Sequence, residues 1–293
     1  MRLSRKTITN IGIFVAIILG IIFPASMWEK KTLPYILGLL LVGNFLKIDL
    51  HLHKFFRKEL LYFPLIGLLI FPFIVYFGSF FLPLDLRLGL FIIAITPSAI
   101  ASPVVVDMID GDRELGVAQV LFSNVIAPVS YSGLLYLFFR TSAVSVPVGA
   151  MFRDITLLII IPFFFSRLIT LQKNIYSATC RFFSWFGPIG FLLVIFVAVA
   201  SSSAQLRKID PEMFVVILAM TAFLAVLNFS TGYILSRKSN VRRTLAVGFG
   251  HKNTSLSVWV AMSNFNPIVV LPMVSYLIFH HIMNGILVHR FHK

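Results

Sequence analysis

The stretch GFGHKNTSL, residues 248–256, lies inside an apolar run from Leu245 to Phe265. Behind Gly248 and Gly250 it sets His251, Lys252, Asn253, Thr254 and Ser255 in a row. An amine, an imidazole, an amide and two hydroxyls side by side can hold an anion by charge and donated hydrogen bonds. Glycine weakens a helix. An ionisable residue at bilayer depth costs about 3 kcal/mol or more and marks a functional site by default. The alternative for Lys252 is snorkelling: it lies eight positions past Thr244, about 12 Å along a helix.

A second constellation is AITPSAIASPVVVDMIDGD, residues 94–112. Pro97 and Pro103 each remove an N–H, clash with the preceding turn and push the residue before them out of helical geometry. Ser98 and Ser102 lie between them, so an unwound, polar stretch is expected rather than one kink. If the two interrupted segments cross, the positive ends of their second half-helices, together with Lys252, favour an anion such as a carboxylate. Candidate substrate or coupling residues are therefore Lys252, His251, Asn253, Thr254, Ser98 and Ser102. Gln119 and Asn124 join them, since Gln119, Ser123 and Asn124 share one helix face. Candidate helix breaks are Pro97, Pro103, Gly248 and Gly250. His280, His281 and Asn284 are similar to that face but more simply read as packing, and Asn44 and Asn228 as helix–helix contacts. Asp107 is the nearest acid to Lys252 in an apolar context, toward the end of its segment.

These residues sit in a chain built for lipid. Of 293 residues, 58% are hydrophobic and 12% charged, about half the charged share of a soluble domain. Ten apolar segments are expected as spans: 7–24, 33–47, 61–81, 88–109, 115–139, 151–171, 183–203, 212–235, 244–263 and 267–288. Connections are short, and one transmembrane domain over residues 1–293 is expected. The segment KIDLHLHKFFRKEL (47–60) is suited to the interface. The start MRLSRK and the apolar run after it resemble a signal peptide, but no small-residue cleavage site follows, so a retained first span is expected. The net charge of +14 comes from basic residues between apolar segments, where they orient the chain and meet anionic lipid. Nucleic acid is not expected as a partner. Lys and Arg weigh toward one face and place both termini in the cytoplasm of a multi-pass cell-membrane protein, a bacterial inner membrane being the expected one. A single cysteine, Cys180, excludes an intramolecular disulfide and a cysteine metal cluster. The 31 phenylalanines are packing and lipid-facing residues. The glycosylation patterns at 228–230 and 253–255 lie at membrane depth and are discounted.

The two halves echo each other. Segments of about 1–142 and about 143–293 each place a broken span fourth and a polar-spotted span fifth. With five spans per half, the second half enters from the opposite face. The expected fold is thus an all-α polytopic membrane protein, ten helices as a 5+5 inverted repeat with crossing fourth and ninth helices, and interrupted spans at matching positions point to a transport site. No nucleotide-binding loop, nucleophile elbow, zinc-protease motif or deep acid pair is present, so a secondary transporter is expected rather than a pump or an enzyme. A channel or sensor on the same scaffold is the alternative.

GHKNTSLSVWVAMSNFNPIVVLPMVSYLIFHHIMNGIL (250–287) resembles the ninth and tenth spans of the bile acid:sodium symporter family, with its Gly-x-x-Asn-(Ser/Thr)-x-Leu pattern. TPSAIASPVVVDMIDGDRELGVAQVLFSNVIAPVSYSGLLYLF (96–138) resembles its fourth and fifth, and LGIIFP (19–24) and LLVGNFLKIDL (40–50) match the first two more loosely. The resemblance implies a panel domain, a core domain with two crossing broken helices, and alternating access for organic anions. It also implies two sodium ions behind the crossing, and there this chain departs. Ser102 keeps its hydroxyl, but the position of a side-chain amide is Pro103. Two hydroxyl positions are Gly116 and Val120, an acidic position is Gly248 and a glutamine position is Lys252. Hard cations want several oxygen ligands. The expectation is a carrier of a small organic anion, sodium-independent or proton-coupled, with no cofactor and with Lys252 standing in for a bound cation. A sodium-coupled anion symporter with other ligands is the alternative. The substrate's identity and the oligomeric state are not readable.

Overall fold

The computed structural model describes residues 5–24, 27–48, 57–140 and 144–291, and among them finds twelve α-helices and no strand. Most of the segment 47–60 lies outside the described residues.

Four helices pack on one another as one layer: α1 (Arg5–Ile22), α2 (Met27–Phe45), α7 (Val148–Thr170) and α8 (Lys173–Leu206). The second group begins with α3 (Phe71–Gly78), which continues a 3₁₀ turn at Lys58–Leu61 and a π-helical stretch at Phe63–Ile70. Pro64 and Pro72 deny that segment two backbone donors, a known cause of such irregular winding. The group goes on with α4 (Leu84–Ile95), α5 (Ser102–Met108), α6 (Arg113–Phe139), α9 (Pro211–Ile234), α10 (Ser239–Gly250), α11 (Thr254–Asn264) and α12 (Leu271–Phe291). Within it α9 lies on α10 and α12, α12 on α4, and α6 on α5 and α10.

Among the described residues, six helical segments are long and apolar enough to cross a membrane: Lys58–Gly78, Arg113–Phe139, Val148–Thr170, Lys173–Ala204, Pro211–Ile234 and Pro267–Phe291. Two shorter apolar helices are Gly12–Ile22 and Lys31–Phe45. The half-helices α4 and α5, and α10 and α11, fall where the sequence shows its two interrupted spans. Large apolar side chains such as Phe77, Phe81, Phe164, Leu171 and Trp185 are exposed, as expected of surfaces that meet lipid.

Arginines close helix ends within the layer of α1, α2, α7 and α8. Arg167 on α7 donates to Phe45 O and, at 3.1 Å, to Ile48 O at the end of α2. Arg207 donates to Ile21 O at the end of α1, 2.7 Å away. A cation there satisfies carbonyls that the helix leaves unpaired and meets the negative end of its dipole. Near the start of α6, Asp112 caps the helix by accepting from Leu115 N (3.0 Å) and takes a 2.7 Å hydrogen bond from Arg57. Burial alone would lower the Arg57 proton affinity, but the hydrogen bond and charge of Asp112, then of Glu59, hold it above its ordinary value. The turn before Asp112 needs a left-handed residue, Asp110 at φ 49°.

Close approach of α9 to α10 depends on Gly232, because a Cβ there would fall on the backbone of Leu245 and Ala246. By contrast, a Cβ at Gly133 meets nothing. Gly232→Ala is expected to cost about 1–3 kcal/mol through overpacking, with Gly133→Ala neutral or slightly stabilising. Thermal unfolding of the two variants in detergent measures the difference.

Candidate functional site

Helix α4 ends because Thr96 precedes Pro97: Thr96 is extended at φ −62°, ψ 132°, as a residue before proline must be. The chain stays out of helix until α5 begins at Ser102, with Pro103 in its first turn, where a missing N–H costs nothing. Helix α10 ends at Gly250, with His251 at φ −83°, ψ 85°. Helix α11 starts again at Thr254, capped by Asn253, whose side chain accepts from Leu256 N at 3.3 Å. The second interruption is therefore only three residues long, 251–253, and its restart follows a strong capping residue.

The two interruptions pair with each other. Ala99 N donates to His251 O and Asn253 N to Pro97 O, both at 2.8 Å, making Ser98 and Lys252 an antiparallel bridge. Ser102 Oγ reaches His251 O at 3.4 Å, and Ser98 Oγ donates to Gly248 O at 2.5 Å. Helix α6 clamps the crossing from the side. Ser123 Oγ accepts from Ser98 N at 3.2 Å. Asn124 Nδ2 donates to Ser98 O (2.9 Å) and Val120 O (2.8 Å), and its Oδ1 accepts from Asn253 Nδ2 at 3.3 Å. Two buried tyrosines tie down the half-helix ends. Tyr131 OH lies 2.9 Å from Thr96 Oγ1, and Tyr276 OH donates to Gly250 O at 2.8 Å.

Lys252 is 1% exposed. Its Nζ donates to Thr96 O at 3.0 Å and Ala94 O at 3.3 Å, and lies 5.3 Å from the centre of the Phe63 ring. These are the last carbonyls of α4, the negative end of that half-helix. The side chain thus neither snorkels to an interface nor projects into open space. Among the described residues no acid forms a salt bridge with it, and Asp107 is instead paired with Arg113 at 2.9 Å.

A cavity of about 500 Å³ lies between the crossing and the layer of α2, α7 and α8. Its wall includes residues 99–101 and 251–253 of the two interruptions, the start of α11, Asn44 of α2 and Lys47 just past it, Phe183, Gly187 and Phe191 of α8, and His280 and His281 of α12. The groups that hold the Lys252 ammonium, Ala94, Thr96 and Phe63, are not part of that wall.

Of the residues singled out from the sequence, His251, Lys252, Asn253 and Thr254 line the cavity. Ser98, Ser102 and Asn124 are buried in the pairing behind it. Gln119 is 1% exposed and packs against Gly248; its amide has no hydrogen-bond partner among the described residues. Pro97 lies in the first interruption and Pro103 opens α5. Gly248 and Gly250, expected to break the helix, are instead inside α10. They are needed for space: a Cβ at 248 would fall on the Gln119 amide, and one at 250 on the Phe229 ring. Thr96, Tyr131, Tyr276 and the α4 carbonyls were not singled out. Thr96 carried a signal, since it stands immediately before Pro97. Carbonyl oxygens carry none.

This arrangement, two half-helix pairs joined back to back at a cavity in an apolar helical chain, is a transporter's. The model of the SBF-like CPA transporter family matches residues 10–293, and the chain belongs to that family: it is a multi-pass membrane protein of a transporter class. It is also similar to the uncharacterized sodium-dependent transporter YocS of Bacillus subtilis (strain 168), 23% identical over 291 residues, covering 95% of this chain and 88% of that protein.

Asn124 satisfies two groups at the crossing, Ser98 O and the Asn253 amide, and also donates to Val120 O of its own helix. Asn124→Leu would keep the volume but leave the Ser98 carbonyl and the Asn253 amide without that partner, at about 1–3 kcal/mol for each unsatisfied group. A fall in melting temperature larger than that of Asn44→Leu, on the cavity wall, is the expected result of differential scanning fluorimetry.

Proposed function

We propose that the chain is a secondary transporter that carries a small organic anion by alternating access without bound sodium. It would be a single domain of ten spans in a 5+5 inverted repeat, in the bacterial inner membrane with both termini cytoplasmic, and without enzymatic activity or cofactor.

Several features support the repeat. The first two helices of each half, α1 and α2, α7 and α8, pack as one layer. The first half-helices, α4 and α10, are both 12 residues long, and each is tied by a tyrosine from the helix after its pair, Tyr131 on α6 and Tyr276 on α12. Anion selectivity is supported by the cavity wall, which among the described residues carries Lys47 and three histidines but no Asp or Glu.

The single observation that carries the sodium-free reading is the position of the Lys252 ammonium. In broken-helix transporters, unwound carbonyls and the C-terminal ends of half-helices hold the coupling cation. Here Thr96 O and Ala94 O already hold a covalently attached cation. A resident ammonium supplies the positive charge without a metal and competes with one for the same acceptors. The second reading, sodium-coupled symport through other ligands, is favoured by the name of the Bacillus subtilis relative, a sodium-dependent transporter.

Uptake of radiolabelled pyruvate, succinate and benzoate into proteoliposomes, with sodium or choline outside, separates the two. Sodium-insensitive uptake that falls about tenfold or more in Lys252→Gln, in keeping with a lost buried cation, is expected. Sodium-stimulated uptake that survives Lys252→Gln would overturn the sodium-free reading.

A further inference from the structure

The cavity's most unusual feature is not Lys252 but a cluster of histidines. His251 comes from the second interruption, and His280 and His281 from the middle of α12. Their ring centres lie 4.9 Å apart for His251 and His280, 4.5 Å for His280 and His281, and 6.0 Å for His251 and His281. All three line the cavity. His251 Nδ1, both nitrogens of His280 and His281 Nε2 are buried without a hydrogen-bond partner among the described residues. His280 is 1% exposed and His251 7%. Beneath them, the Asn284 amide is likewise unpartnered on both atoms.

Ring nitrogens buried without a partner cost free energy, and a cluster of them facing a cavity is explained if a polar ligand enters there. Neutral imidazole offers one donor and one acceptor, and only the protonated ring offers two donors and a charge. Three adjacent rings cannot all be charged without mutual repulsion, so they suit one added proton rather than three.

The surrounding charges define what enters. On α12, Tyr276 stacks edge-on to His280 at 5.7 Å, and its hydroxyl is committed to Gly250 O. From α8, the Phe191 ring meets His281 at 6.0 Å. From α2, Lys47 is the remaining cation on the cavity wall. Lys252 shares His251's segment, but its ammonium is held by the α4 carbonyls. On α5, Ser102 faces His251 O, while Asp107 is engaged by Arg113. From α9, Asn228 meets Tyr276. Among the described residues no carboxylate from these elements balances a proton placed on the histidines, so the ligand supplies the balancing anion.

We propose that His251, His280 and His281 form the site where a substrate carboxylate and one proton bind together, so that the carrier is a proton:carboxylate symporter. This rests on the organic-anion reading above. In the step, one proton from water adds to a cluster nitrogen, giving one imidazolium. The carboxylate pairs with it, and the pair crosses as a neutral unit. On the far face the carboxylate leaves, and the proton returns to water. The cluster joins the second interruption to α12, so a bound carboxylate bridges the two elements. Lys252 keeps its place throughout as a fixed charge, and the histidines carry the exchangeable one.

The test is binding of pyruvate, succinate and benzoate to the full chain in nanodiscs, by isothermal titration calorimetry at pH 6 and pH 8. Two buffers of different ionisation enthalpy give the protons taken up. For wild type, about tenfold or more tighter binding at pH 6 is expected from linkage to one proton, with close to one proton taken up per carboxylate. His281→Gln and His280→Gln should each flatten the pH dependence and abolish proton uptake. Carboxylate binding that takes up no proton in wild type, or the same proton in both variants, would overturn the proposal and leave the anion-carrier reading standing. No binding of any probe at either pH would overturn both. Should His280→Gln not fold, His281→Gln on the cavity edge and the wild-type proton count still decide the matter.

Discussion

In lipid, a backbone that leaves its helix must find partners for its own N–H and C=O groups, because water cannot supply them. That constraint shapes this molecule. Two helices stop near the same place, and each stop answers the other: Ala99 N meets His251 O, and Asn253 N meets Pro97 O. Neither interruption is affordable alone. Together they form a two-residue antiparallel bridge, with Ser98, Ser123 and Asn124 covering what is left. The glycines of α10 and the tyrosines of α6 and α12 let the bridge sit close and hold its ends.

The bridge also separates two kinds of positive group. Its Lys252 side chain runs behind the crossing to the end of α4, where helix dipole and carbonyls favour a cation. On the other side, facing α2 and α8, His251 joins His280 and His281 on the cavity wall. Neighbouring residues in sequence thus serve opposite faces of one crossing, as successive residues of an extended segment do.

Much of this was legible in the sequence, and the failures have physical causes. Pro97 removes a donor and constrains Thr96, effects local enough to be read from two residues. The apolar segments follow from length and composition. Gly248 and Gly250 were expected to break α10, but low helix propensity costs only about 1 kcal/mol per glycine, which packing against Gln119 and Phe229 outweighs. The actual break follows the capping tendency of Asn253, which acts on the residues after it. His280 and His281 read as packing because their partner, His251, is about thirty positions away and only the fold brings it near. The seat of the Lys252 ammonium behind the crossing was not readable at all, since backbone carbonyls have no sequence signature.

The claim that most else depends on is the pairing of Ser98 with Lys252. Antiparallel partners flanked by hydrogen bonds in this way hold their Cα atoms about 4.5 Å apart, within disulfide range. The direct measurement is oxidative cross-linking of Ser98→Cys with Lys252→Cys in a Cys180→Ser background, read as free-thiol loss by intact-mass spectrometry, against a control pair at 98 and 264. Near-complete intramolecular disulfide at 98 and 252, with none in the control, is the predicted result. Free thiols at both positions under conditions that oxidise exposed pairs would contradict the paired crossing.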